Sequence, residues 1–170
     1  MSRLGPYTEK AIAHFRDPHN YGRIKNPDGV GKVGNPVCGD VMHLYIKVGK
    51  NKKGKEIVAQ VKFETFGCTA AIATSSVITD LAKGKTLEEA VKLDRQDIVS
   101  SLGGLPPVKL HCSVLAADAL LEAIYDYLGK NKKEIPKDLR LRHARIEREK
   151  KEVGKRYKDW VKIEEEFYKE

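Results

Sequence analysis

Met42-His43-Leu44-Tyr45-Ile46-Lys47-Val48 and Ile57-Val58-Ala59-Gln60-Val61-Lys62-Phe63-Glu64-Thr65 flank a turn, residues 49–55, made of glycine, asparagine and lysine. In the first run Met42, Leu44, Ile46 and Val48 alternate with His43, Tyr45 and Lys47; in the second Ile57, Ala59, Val61, Phe63 and Thr65 form the matching set. A period of two marks half-buried strands, and the wet turn between them makes an antiparallel hairpin. From Cys68 the period lengthens. Residues 70–83, AAIATSSVITDLAK, read as a buried helix that Gly84 ends. Strands first and helices after predict an α+β fold: a small antiparallel sheet of about three strands with helices packed on one face.

The flanking segments fill in that plan. Upstream, Tyr7 to Phe15 predicts a short helix capped by Thr8 and stopped by Asp17-Pro18. The glycine-, proline- and asparagine-rich stretch that follows, 20–39, has room for one irregular strand near Gly29–Val33. Downstream, Thr86 and Glu89 match a capping box. Residues 103–109, which include Leu105-Pro106-Pro107-Val108-Lys109, read as a stiffened loop, and Ser113 to Leu128 as a strongly apolar helix closed by Gly129. Residues 1–130 are expected to form one domain, and 131–170 a charged extension built as one long C-terminal helix. In it Leu139, Ile146, Val153, Trp160 and Phe167 recur every seven residues, flanked by Tyr157 and Ile163. Pro136 fits its first turn. Arg142, Glu149 and Arg156 occupy the intervening positions and argue against a full coiled coil. Such a narrow stripe suits a helix docked on its own domain, or one that meets a partner or a second copy in a dimer.

Charge and composition exclude some classes. The net charge of +8 comes from 32 Lys/Arg and 24 Asp/Glu, and residues 131–170 hold 14 and 10 of these with the signs mixed. No basic motif interleaved with aromatics accompanies them, so a solvated surface accounts for the charge and nucleic acid is not expected. No apolar run approaches the ~18 residues of a membrane helix. MSRLGPYTEKAIAHF lacks the apolar core of a signal peptide, which predicts a cytoplasmic protein. Two Gln and five Asn in a chain that is 33% charged lean toward a heat-adapted source.

The chemistry lies with three cysteines and their neighbours: Cys38-Gly39-Asp40, Gly67-Cys68-Thr69 and His111-Cys112-Ser113. An odd count in a reducing compartment argues against a set of disulfides. Cys38 falls in a turn that leads into a strand; Cys68 and Cys112 fall where two helices begin. Unpaired N–H groups and the dipole at a helix start stabilise an anion, so a thiolate there is a good metal ligand or sulfur nucleophile. Structural zinc usually brings close cysteine pairs, and iron–sulfur electron carriers usually bring four cysteines. This chain has neither. Three thiolates leave a further position for Asp40 or His111, harder ligands that suit a site able to release what it holds. A zinc-stabilised binding module and a cluster-free persulfide carrier stay open as alternatives. His14, His19, His43 and His143 lack ligand-like neighbours in the sequence and are read as surface residues.

Asn35-Pro36-Val37-Cys38-Gly39-Asp40, Phe66-Gly67-Cys68-Thr69-Ala70-Ala71-Ile72-Ala73 and Leu105-Pro106-Pro107-Val108-Lys109-Leu110-His111-Cys112-Ser113 resemble the three signatures of IscU/NifU-type iron–sulfur cluster assembly scaffolds. The likeness runs from about Tyr7 to Leu128, and departs at Thr69-Ala70 and in the extension. It implies a scaffold without turnover chemistry of its own. Such proteins take persulfide sulfur from a cysteine desulfurase, bind ferrous iron (Fe2+), build a 2Fe–2S cluster and pass it to apo-proteins such as ferredoxins. By motif position the ligands would be Cys38, Cys68 and Cys112, with Asp40 and His111 competing for the fourth place. Zinc (Zn2+) would occupy the same residues when no cluster is present. Cys112, placed after a flexible loop, would accept the persulfide. Lys109 would steady sulfide or thiolate charge, unless it is only an exposed loop lysine. The segment Leu105–Lys109 resembles a peptide recognised by an Hsp70-type chaperone; its two prolines would pre-extend it for a groove.

Overall fold

The computed structural model describes residues 5–35 and 39–167, with side chains through 155 and at Lys158. The hairpin is there: β2 (Val41–Lys50) and β3 (Glu56–Phe66) pair antiparallel, and β1 (Gly29–Gly34) lies along the other edge of β2. Met42, Leu44 and Ile46 are fully buried, as the alternation requires. The second strand departs from the expectation. Between Lys47 and Val48 the register slips, so that these residues face Gln60 and Val58, and Ala59 becomes an extra residue. One extra residue moves everything beyond it to the other face. Val61 and Phe63 point inward as expected, but past the bulge Val58 is fully buried, Ala59 is exposed and Ile57 only half-buried.

Helices cover one face of this sheet. The longest of the central ones, α5 (Leu110–Lys130), lies directly on β1. The contact depends on glycine: a Cβ added at Gly29 or Gly31 would stand 2.2 Å from the Ala123 carbonyl oxygen or 2.0 Å from that of Ala119. Beside α5 packs α2 (Thr69–Ala82), whose Ala70, Ala71 and Ala73 are fully buried and let the two helices approach closely. Thr74 joins them by donating to the Cys112 carbonyl at 3.2 Å. The first helix, α1 (Glu9–Arg16), rests on α2 and is capped by Thr8, whose Oγ1 accepts from the Ala11 N–H at 3.1 Å. The expected capping box of Thr86 and Glu89 opens a single turn, α3 (Leu87–Ala90). A further helix, α4 (Arg95–Ser101), was not anticipated; Asp94 and Asp97 give it a second capping box.

Two boundaries shift at the third cysteine. Pro107–Lys109 forms a 3-10 turn that runs straight into α5, so the helix begins at Leu110 rather than at Ser113. Proline is tolerated in a first turn because its missing N–H would have no partner there. The expectation of a pre-extended segment is corrected accordingly. Only the start of Leu105–Lys109 is extended, and Val108 is 75% exposed at the turn.

The extension forms α6 (Lys137–Phe167), which packs on α5 and β1. Leu139 and Ile146 are buried in the main core and Val153 is half-buried, so the described part of the stripe docks on its own domain. The side chains of Tyr157, Trp160, Ile163 and Phe167 lie outside the described ones. Charged pairs complete the seam. Arg145 donates to buried Asp118 at 2.7 Å, Lys150 lies 3.4 Å from buried Glu122, and His143 Nδ1 lies 2.8 Å from the other oxygen of Glu122. Among the described residues no helix is long and apolar enough to cross a membrane.

Candidate metal centre

Two of the three thiols meet at one tip of the molecule. Cys68 is the residue that caps α2, with extended backbone and no side-chain capping bond. Cys112 is the third residue of α5 and almost wholly buried. Because α2 and α5 pack side by side, the two sulfurs stand 3.8 Å apart, and neither is in a disulfide. Asp40, just ahead of β2 and 6% exposed, places Oδ2 3.8 Å from each sulfur. Two sulfurs bound at ~2.3 Å to one tetrahedral metal ion also stand about 3.8 Å apart. The spacing therefore matches a metal-bound pair before any metal arrives.

Gly67 makes room for the carboxylate. A Cβ there would lie 2.9 Å from both Cγ and Oδ1 of Asp40 and 2.8 Å from Cβ of Ala71. His111 brings a fourth donor: one of its ring nitrogens, an Asp40 oxygen and Cys112 Sγ lie within 4.8 Å of one another. Its Nε2 is buried and has no hydrogen-bond partner among the described residues. An unpaired buried nitrogen is costly, and a site built to receive a ligand explains it. Cys38 lies outside the described residues; its flanks close on themselves, the Gly39 N–H donating to Asn35 O and the Asn35 N–H to Asp40 O, each at 2.9 Å.

Two neighbours set the charge at this tip. Lys109 is held protonated beyond the ordinary lysine range, chiefly by the negative charge of Cys68. Tyr7, half-buried against Ala70, Ala71 and Cys112, has its hydroxyl pushed up by burial and then by the charge of Cys68. The structure thus puts Lys109 at the thiols. Tyr7 is the residue that sequence reasoning missed. It reads as the start of α1, and only the packing of α1 on α2 carries it to the sulfurs. Of the chaperone-like segment, Leu105 packs by the site while Val108 faces solvent.

Three of the four histidines read as surface residues without ligand-like neighbours have such neighbours in the fold. His14 and His19 meet at a tilt, centroids 4.6 Å apart, beside Asp80, and His143 stacks on Tyr125 at 3.7 Å while bonded to Glu122. These partners come from α2 and α5, far away in sequence. His43 is half-buried on β2. The extension also comes near the site. A cavity of about 230 Å³ lies between His111 and Asn35 on one side and Arg145, Ile146 and Glu149 of α6 on the other.

Comparison with known proteins places this geometry in a wider set. A family model described as the NifU-like N terminal domain matches residues 6–134. A relative from Archaeoglobus fulgidus, named iron-sulfur cluster assembly scaffold protein IscU 1, is 57% identical over 127 residues, covering 75% of this chain and 80% of its own. A relative from Drosophila melanogaster, named iron-sulfur cluster assembly enzyme IscU, is 48% identical over 132 residues, covering 76% and 82%. Among solved structures, one from Fervidobacterium islandicum, described as an assembly scaffold of the SUF system, superposes with a TM-score of 0.55 at 23% identity. It covers 72% of this chain and 99% of that one, a likeness of fold.

Proposed function

The chain belongs to the NifU-like N-terminal domain family, and from that premise we propose that it is a scaffold on which 2Fe–2S clusters are built and from which they pass to apo-proteins. The observation that carries this reading is the 3.8 Å separation of Cys68 and Cys112 with Asp40 at the same distance from both. Two thiolates already at metal-bound spacing need little rearrangement to take iron. Cys38 supplies the third thiolate by motif position. Asp40 and His111 are the harder donors, and exchange at that position is what allows the cluster to leave.

Sulfur arrives as persulfide from a cysteine desulfurase. A thiolate of this chain, Cys112 by its place behind the Pro106-Pro107 loop, attacks the outer sulfur of the donor's persulfide. The donor's S–S bond breaks and its thiolate departs, leaving the persulfide on Cys112. Release as sulfide takes two electrons from an outside thiol reductant. Lys109 and the N–H groups at the start of α2 offset the negative charge that gathers there. The recipients are apo-proteins of the ferredoxin kind. An Hsp70-type chaperone is a partner only if the 3-10 turn at 107–109 unwinds to an extended form. Thiols that must stay reduced favour a reducing compartment such as the cytoplasm.

Anaerobic reconstitution with ferrous iron, cysteine and a desulfurase tests the proposal through visible absorption, Mössbauer spectra and transfer to apo-ferredoxin. A coloured product that moves to ferredoxin is expected; a colourless one overturns the reading. The group formed by Asp40, His111 and Cys112 also favours zinc in the cluster-free state, which metal analysis of the protein as purified would detect.

A further inference from the structure

The other end of α2 carries a second group of metal donors. One ring nitrogen each from His14 and His19 and one oxygen of Asp80 lie within 4.8 Å of one another. Asp80 is twelve residues from Cys68 along the helix, so this group stands about 18 Å from the thiols. We propose that His14, His19 and Asp80 form a separate site for a divalent transition-metal ion of the zinc, cobalt or ferrous class.

The case rests on how these side chains are held. His19 Nδ1 lies 2.6 Å from Asp80 Oδ2, and the two rings meet at 54° with centroids 4.6 Å apart. The other Asp80 oxygen accepts from Asn20 Nδ2 at 3.1 Å, and the same amide reaches Thr79 Oγ1 at 3.0 Å. Asn20 can do this because its backbone turns through a left-handed conformation, φ +58°. Ser76 Oγ accepts the His19 backbone N–H at 2.8 Å and stands 2.8 Å from His14 Nδ1. Ser76 thereby holds the His14 ring by Nδ1 and leaves Nε2 as the nitrogen that would meet a metal. His14 and Asp80 are thus braced by groups outside the donor set, Ser76 and Asn20, and His19 is anchored through its backbone, the kind of support that fixes ligands in metal sites.

Two imidazoles and one carboxylate suit borderline ions. Binding replaces the proton shared by His19 and Asp80 with the metal. Donors at ~2.0–2.1 Å from a tetrahedral ion stand about 3.3 Å apart, so the widest gap closes by no more than roughly 1.5 Å. Exposed side chains, 52% for His19 and 40% for Asp80, rotate that far without disturbing the core. The similar set Glu122, His143 and Glu147 does not compare, because the Lys150 ammonium already lies 3.4 Å and 2.8 Å from its carboxylates.

Cobalt titration of the full chain tests this independently of cluster assembly. Cobalt on the thiols gives sulfur-to-metal charge-transfer bands; cobalt on His14, His19 and Asp80 gives only weak d–d bands. The expected result is a binding event without charge transfer that weakens at least about tenfold in both His19→Ala and Asp80→Asn, while the thiol bands stay unchanged. Both positions are exposed, and far-UV circular dichroism verifies that the variants fold. Paramagnetic broadening of the His14 and His19 ring signals should accompany this event in wild type. Absence of such an event, or one indifferent to both substitutions, overturns the site even if clusters assemble normally.

Discussion

Asp40 and Asp118 are equally buried, at 6% exposure, one beside the head of α5 and one on that helix, yet they are opposites. Asp118 faces Arg145 across the α5–α6 seam at 2.7 Å, and Glu122 beside it meets Lys150 and His143. Asp40 faces two sulfurs, and the hydrogen bonds of its carboxylate run to those thiols. A buried carboxylate needs compensation. At the seam the fold provides the cation, so those acids serve architecture. At the tip the fold gathers negative and neutral donors with only the partly exposed Lys109 beside them, and most of the compensating charge has to come from outside. The difference separates a closed electrostatic joint on α5 from an open candidate metal site at its head.

The strongest challenge to that contrast removes a sulfur. Cys68→Ser or Cys112→Ser should lower the yield of reconstituted cluster, read by visible absorption, beyond the ~10–100-fold typical of losing a supporting residue. Either variant retaining wild-type yield would break the assignment of the tip as the open site. Arg145→Ala attacks the other half. It strands Asp118, and with Arg145 already 40% exposed the expected loss is about 2 kcal/mol of stability at neutral pH, read by denaturant melts. Burial already raises the Asp118 carboxyl above its ordinary range in spite of Arg145. The native state therefore holds that proton more tightly than the unfolded chain. The group's contribution is most favourable below the unfolded value and declines as pH climbs through the folded one. The Arg145→Ala penalty should accordingly shrink in acid. Cluster yield per folded molecule should not change; if it falls with stability held constant, seam and site are one system.

Local chemistry made the tip legible and left the seam obscure. Cys68 behind Gly67 at the head of an alanine-rich run announces a helix start, and Asp40 and His111 sit within two residues of their cysteines. The capping box at Thr86 and Glu89 is equally local. Arg145 and Asp118 are 27 residues apart on separate helices, and no spacing rule pairs them. Tyr7 reaches the thiols, and His19 reaches Asp80, through the packing of α1 and its following loop on α2. The bulge at Lys47 and Val48 escaped for another reason: Ile57, Val58 and Ala59 are all apolar, so neither phase of alternation is favoured there.

Within the tip, the contrast sharpens by separating Asp40's charge from its position. Asp40→Ala should leave a cluster that forms but moves to apo-ferredoxin severalfold more slowly, because the exchangeable donor is gone. Gly67→Ala keeps the carboxylate and pushes it aside, since the new Cβ would stand 2.9 Å from it. It should slow transfer in the same direction by less. If Asp40→Ala instead abolishes the cluster, Asp40 is an indispensable ligand rather than a point of release.

The smallest expected effect belongs to Lys109, the cation at the tip and a partly exposed one. If the tip really lacks an internal counter-charge, removing this lysine should matter little compared with removing Arg145. Lys109→Ala is expected to slow alkylation of Cys68 by about twofold, the scale of an exposed ion pair. The sign with pH is fixed by the direction of its shift. Negative charge on Cys68 raises the lysine above its ordinary 10.5, so the help it gives is complete below that value and disappears as pH rises through the higher folded one. Wild type and variant should therefore alkylate at different rates at neutral pH and at equal rates in strong alkali. A loss as large as that of a ligand would mean that Lys109 compensates Asp40 and the thiols as Arg145 compensates Asp118, and the two ends of the comparison would merge.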